Sequence, residues 1–143
     1  LSRPDIRIVS ASWPQDQAAI FLIRETVFVH EQSVSPELEW DGLDADSHHV
    51  LAIDANNIAV GTGRLLANGH IGRMAVLVDY RQLGIGSRLL LTLIDHAKKQ
   101  SLTEVWLNAQ VHASGFYLQH GFMTEGEEFL DAGIPHLTMR KII

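Results

Sequence analysis

The chain has 143 residues, 46% hydrophobic and 20% charged, which fits one domain spanning 1–143 with room for a real core. A net charge of −6 argues against a nucleic-acid partner, and no apolar run approaches the roughly 18 residues of a membrane helix. The absence of cysteine excludes disulfides, a thiol nucleophile and a zinc–thiolate site; together with an opening that carries no apolar signal region, it leads us to expect a cytoplasmic protein.

Apolar and polar residues alternate over 6–12, predicting a first strand that Pro14 closes. Residues 15–30 read as a helix with Ala19, Ile20, Ile23 and Val27 on one face. Segment 31–47 is acidic and bears Pro and Gly. It reads as a loop with one helical turn at 36–40, the kind of long loop that often carries binding residues. Its run Glu37, Glu39, Asp41, Asp44 and Asp46 reads as a solvated face, or else as an attractor for a cationic amine. Phe21, Phe28 and Trp40 either line a pocket or anchor that loop.

Strands follow at 48–54 and 58–66, and Gly61-Thr62-Gly63 reads as strand glycines, because no helix follows and Leu66 replaces the third glycine of a dinucleotide fingerprint. Asn68-Gly69 predicts a hairpin, since both residues tolerate positive φ. It feeds a strand at 71–78, a turn at 79–86, and a helix to Lys99 with Leu90, Leu93, Ile94 and Ala97 on its buried stripe. Residues 103–109 alternate as a strand, expected parallel to 71–78 because a crossover helix separates them. A short helix fits 113–120, ended by Gly121, and 122–129 with 136–142 form a closing antiparallel pair around 131–135. The order β-α-β-β-β-α-β-α-β-β predicts an α/β (α+β) fold, a mixed and mostly antiparallel sheet with helices on both faces.

The turn before the long helix carries the first chemical signal. Free N–H groups at a helix start, together with the helix dipole, favour an anion, and Gly84 and Gly86 let a phosphate approach the main chain. Arg81 adds a full charge, and Arg73 and Arg88 extend a local basic spot.

Arg81-Gln82-Leu83-Gly84-Ile85-Gly86 resembles the R/Q-x-x-G-x-G/A motif of the GNAT superfamily of acyl-CoA-dependent N-acetyltransferases. Met74-Ala75-Val76 resembles that family's fourth strand, and Phe116-Tyr117 with Gly121-Phe122 its C-terminal signature. Glu31-Gln32, Ile71-Gly72-Arg73, Ala109-Gln110 and Gly133-Ile134-Pro135-His136 resemble the small bacterial ElaA-like branch. The resemblance implies a single domain whose sheet splays after the fourth strand, with acetyl-CoA as cosubstrate, no metal, and a small amine or peptide amine as acceptor. Homodimers are common in the family. It further implies that Met74, Ala75 and Val76 bind the pantetheine arm, that Arg81, Gln82, Leu83, Gly84, Ile85, Gly86 and Ser87 cradle the pyrophosphate, and that Gln110 stands where the family often has Asn.

Direct acetyl transfer to an amine needs an oxyanion donor, an acid for the thiolate and a base for the ammonium. A backbone N–H near Val76 matches the family's usual donor, and Tyr117 occupies its usual acid position. The base stays open among Glu31, His112 and His136, with His49 a further candidate. Imidazoles titrate near neutrality, whereas Glu31 needs a raised pKa or a water relay. His48, His49 and Glu31 match no recognised metal-ligand spacing. The alternative to an enzyme is a CoA-binding sensor or interaction module.

Overall fold

The computed structural model describes residues 5–143. Strands β1 (Arg7–Ala11), β2 (His48–Ile53), β3 (Ala59–Leu65) and β4 (Ile71–Val76) form one antiparallel sheet in that order. Strands β5 (Glu104–Gln110), β6 (Met123–Asp131) and β7 (Ile134–Ile142) form a second, in the order β5-β7-β6. The sheets meet at one parallel bridge, between His70 and Trp106. The expected mixed sheet is therefore two antiparallel sheets pinched together at one end, and the expected parallel pairing of β4 with β5 shrinks to that bridge.

Helix α1 (Trp13–Arg24) covers one face of the first sheet and α3 (Ile85–Lys99) the other. Alternation in β2 serves both: Val50 and Ala52 join the core under α3, while Leu51 packs with Ile20, Ile23 and Val27 under α1. Leu89, Leu90 and Leu93 are wholly buried, and each such side chain contributes about 1.5–3 kcal/mol. The strand glycines make room here, since a Cβ at Gly63 would stand 2.7 Å from Met74 Sδ and 2.9 Å from Leu93 Cδ1.

Several boundaries differ from expectation for physical reasons. Helix α1 starts at Trp13 rather than 15, because Pro14 in a first turn needs no N–H partner. The helical path then widens into a π-helix at Glu25–Glu31, which 3.6-residue periodicity does not reveal. At the Asn68-Gly69 hairpin only Gly69 has positive φ (+87°), and Leu66 N–H donates to the His70 carbonyl, closing a three-residue loop. The loop expected at 131–135 tightens to Ala132 and Gly133, both at positive φ, so Ile134 and Pro135 belong to β7. Pro135 is tolerated because pairing with β5 begins only at His136. Short helices α2 (Pro36–Glu39) and α4 (Ser114–Gln119) and single 3-10 turns at Asp44–Asp46, Val78–Tyr80 and Val111–Ala113 complete the described elements, with β6 as an exposed edge strand.

Candidate active site

Beyond the bridge, β4 and β5 diverge and leave a cleft of about 420 Å³. Its walls are β4, β5, the end of the π-helix, α4 and the β6–β7 turn. Met74, Ala75, Val76, Arg81, Gln110 and Tyr117 all line it, as do Glu31, His112 and His136. The cleft thus brings all three proposed bases and the proposed acid into one space.

The edge of β4 beyond Ile71 has no β5 partner, so it presents backbone groups that an extended ligand can pair as an added strand. The ladder with β3 slips between Thr62 and Arg64, placing Arg73 and Met74 opposite Gly63. This is a β-bulge, with Arg73 at φ +52°.

Past β4 the chain makes one 3-10 turn at Val78–Tyr80 and enters α3 through Gly84, at φ +80° and ψ 8°. No side chain caps α3, and its first intrahelical bond runs from Arg88 N–H to the Gly84 carbonyl. The N–H groups of Ile85, Gly86 and Ser87 are thus left for an outside acceptor, a backbone cradle that suits a pyrophosphate. A Cβ at Gly86 would meet only Phe116, at an ordinary 3.6 Å, so internal packing does not require glycine there. The Ser87 hydroxyl bonds His120 Nε2 at 2.9 Å, which leaves its backbone N–H as its contribution to the turn.

The basic spot is not a free one. Arg81 donates to the Val76 carbonyl at 2.9 Å and pairs bidentately with Glu31 at 2.7 Å. Arg73 is held by the 31–47 loop, and Arg88 is exposed and does not line the cleft. The Glu31–Arg81 pair also bears on the base. Hydrogen bonding to Arg81 holds the Glu31 carboxyl below its ordinary range, opposite to the raised pKa that was one of its two expected routes to acting as a base, the other being a water relay.

His136 is buried, lines the cleft, and contacts the Ile134 carbonyl through Nδ1 at 2.7 Å. A carbonyl only accepts, so Nδ1 carries the proton and the neutral ring keeps its lone pair on Nε2. His112 is exposed at the rim. His49 does not face the cleft: its ring stacks on Trp13 at 5.0 Å and its Nε2 donates to the Asp44 carbonyl at 2.8 Å. His48 stacks instead on His96 at 3.5 Å, so His48, His49 and Glu31 turn to three different places.

Burial pushes the Tyr117 hydroxyl up to about 12, so it stays protonated and available as a donor throughout the physiological range. Gln110 donates its amide to Gln32 at 2.8 Å across the cleft. Phe28 lines the cleft, whereas Phe21 packs on Trp40 at 4.1 Å and anchors the loop.

The acidic loop is where expectation and structure part most clearly. Glu39 and Asp44 are buried, so this part of the run is not a solvated face, nor is it free to attract an amine. Arg24 bonds Glu39 at 2.5 Å and Asp44 at 2.6 Å. Arg64 bonds Asp41 at 2.7 Å and Asp44 at 3.0 Å. Arg73 bonds Asp41 at 3.3 Å and lies 3.5 Å from Glu39. Although partial desolvation opposes it, Asp41 is held down to about 2 by the bonds from Arg64 and the Leu43 N–H and by the charges of Arg64 and Arg73. The sequence did carry a sign of Arg24, which stands four residues after Ile20 on the apolar stripe of α1.

A splayed sheet edge and a half-buried tyrosine surround one cleft, and an uncapped helix start follows the open strand. The sequence profile of the acetyltransferase (GNAT) domain matches residues 12–143, and the chain belongs to that family of acetyltransferases. The uncharacterized N-acetyltransferase YjcF of Bacillus subtilis (strain 168) is 41% identical over 125 residues, covering 85% of this chain and 89% of that one. The crystal structure of an acyl-CoA N-acyltransferase from Pseudomonas aeruginosa superposes with TM-score 0.85 at 30% identity, covering 96% of this chain and 99% of the other. Escherichia coli ElaA does so with TM-score 0.85 at 27% identity and the same coverage.

Proposed function

We propose that the protein transfers acetyl from acetyl-CoA to the nitrogen of a primary amine by direct attack within a ternary complex. The observation that carries this reading is the cleft itself, where the unpaired edge of β4, the Tyr117 hydroxyl and the His136 imidazole face one space. Acetyl-CoA supplies an activated acyl group on a thiol leaving group. Met74, Ala75 and Val76 hold its pantetheine arm as an added strand, and the N–H groups from Gly84 to Ser87 take the pyrophosphate. A β4 backbone N–H near Val76 stabilises the oxyanion as charge develops.

His136 Nε2 takes the ammonium proton, directly or through one water, and we prefer it to Glu31 because Arg81 already occupies that carboxylate. Tyr117 gives its proton to the departing sulfur, and its phenolate takes the second nitrogen proton as the tetrahedral intermediate collapses to the amide. Tyr117 is thereby restored, and the one proton left on His136 passes to solvent. No cysteine is present to form an acyl-enzyme, which favours direct transfer.

The test is acetyl transfer from acetyl-CoA to a panel of amines, covering polyamines, amino sugars, amino acids and peptide lysines, with His136→Gln as the control. A fall in kcat of about 100-fold or more in that variant is expected. Tight CoA binding with no transfer to any amine would instead favour a binding module. An unaltered rate in folded His136→Gln returns the base to Glu31 or His112.

A further inference from the structure

The acidic loop grips β4 at one residue, and that residue sits in an unfavourable backbone conformation. Arg73 has φ +52°, a region in which glycine is the undemanding choice. The bonds that its side chain makes offset part of that backbone cost. Its guanidinium donates to the Glu39 carbonyl at 3.0 Å and to Asp41 at 3.3 Å. Asp41 is in turn clamped by both terminal nitrogens of Arg64, at 2.9 and 2.7 Å. Arg64 belongs to β3 and lies opposite Gly72, the residue just before the bulge. A closed ring of contacts thus runs from β3 through the loop to the bulge and back through the sheet. The bulge in turn sets where the backbone from Met74 to Val76 points along the open edge.

We infer that Arg73, held by Asp41, is a positioning residue that fixes the β4 bulge and thereby aims the Met74–Val76 backbone groups into the cleft. The role rests on the reading of that cleft as the acetyl-CoA site, but the geometry it fixes does not. Two further features agree. Gly63 leaves the space that the bulge fills, since a Cβ there would stand 2.7 Å from Met74 Sδ. Arg73 is only partly exposed at the cleft wall, with its Nε buried and without a hydrogen-bond acceptor. It is therefore held by charge and by the bonds of its Nη2 rather than by a saturated set of partners.

The test uses Arg73→Gly, which accepts the φ and removes only the guanidinium, and Asp41→Asn, which keeps the shape and removes the charge. Amide hydrogen exchange is read at residues 74–76, with Leu89 and Leu93 of α3 as internal references. Within 74–76, exchange at the Ala75 amide, which pairs with Thr62 of β3, is expected to accelerate at least about tenfold in both variants while the α3 amides hold, with the double variant close to either single one. With an amine accepted by the wild-type protein, kcat should fall about 10- to 100-fold and KM for acetyl-CoA should change less than about threefold, because the pyrophosphate turn is untouched. Unchanged exchange at 74–76 in folded Arg73→Gly overturns the inference, as does a loss carried wholly by KM. A wild-type protein that acetylates no amine defeats the acetyltransfer reading alone, and the exchange measurement still decides the role of Arg73.

Discussion

Gly84 and Gly86 stand two residues apart and meet different demands. Gly84 is at φ +80° with open space around it, so any other residue there is strained although nothing blocks its side chain. Gly84→Ala is expected to cost about 1–2 kcal/mol in a denaturant titration. Gly86 has no such strain, and Gly86→Ala should be close to neutral. Gly86→Asp separates stability from binding. A carboxylate in the first turn of α3 favours the helix by about 0.5 kcal/mol, yet it sets a negative charge where the pyrophosphate would lie. The expected result is an unchanged or slightly raised melting temperature, with CoA affinity in calorimetry reduced beyond about 100-fold by charge and steric conflict. A folded Gly86→Asp protein with wild-type affinity would remove the turn from the site. Tyr117 makes a second residue-scale prediction. Its hydroxyl is pushed up to about 12, so below that pH the rate should show no alkaline loss traceable to it. Tyr117→Phe should lower kcat by about 100-fold at every pH tested, leaving the shape of the profile as before. The turn could be read from a local pattern, glycines ahead of a helix, whereas Tyr117 was reached only through the family resemblance of Phe116-Tyr117 and Gly121-Phe122. The standing of His136 was not legible, since a carbonyl two residues upstream in a tight strand entry decides its tautomer.

At the scale of elements, β2 and α3 meet through the rings of His48 and His96, parallel within 3°. Burial, and then the neighbouring His96 and His49, depress His48 to about 4 from an ordinary 6.5. The unfolded chain therefore binds a proton between those values that the folded chain refuses. Stability is fully present above about pH 6.5 and is lost as pH falls toward about 4. His49 and His70 are shifted the same way, mainly by burial. The unfolding midpoint should fall over this window, and His48→Gln should flatten the dependence by up to about one proton taken up on unfolding. An identical slope in the variant would show that the stack does not resist protonation. Long periodic elements such as α3 and the β2–β3–β4 meander could be read from sequence, because each carries its burial pattern within itself. The π-helix and the arginine–carboxylate network could not. Charge read along a chain gives no account of partners: Asp41 and Arg64 lie 23 positions apart, and Arg24 and Asp44 20.

Across the whole molecule, the cleft exists because two sheets touch at one end and part at the other, so its width depends on the tie at that end. The tie is small. Trp106 N–H donates to the Gly69 carbonyl at 3.0 Å, and Trp106 Nε1 donates to the Asn68 carbonyl at 3.2 Å. The His70 ring stacks on the Trp106 ring at 3.9 Å. Gly69 is the residue with no latitude. It combines φ +87° with a site where a Cβ would stand 2.8 Å from the Glu104 carbonyl oxygen. That oxygen cannot retreat easily, since Glu104 is paired with Ile142 in the second sheet and held from behind. Gly69→Ala must therefore strain the turn or part the sheets, losing the bond from Trp106. Left-handed strain of about 1 kcal/mol and one hydrogen bond of about 1 kcal/mol together predict a destabilisation near 2 kcal/mol. The same change should weaken CoA binding measured by calorimetry, although Gly69 does not line the cleft, because β4 and β5 would no longer start from a fixed separation. Asn68→Ala, which removes the Oδ1 acceptor of the His70 N–H but leaves both carbonyl contacts to Trp106, should weaken it far less. Equal CoA affinity in Gly69→Ala and wild type, with the loss of stability intact, would show that the far walls of the cleft hold their spacing without the pinch.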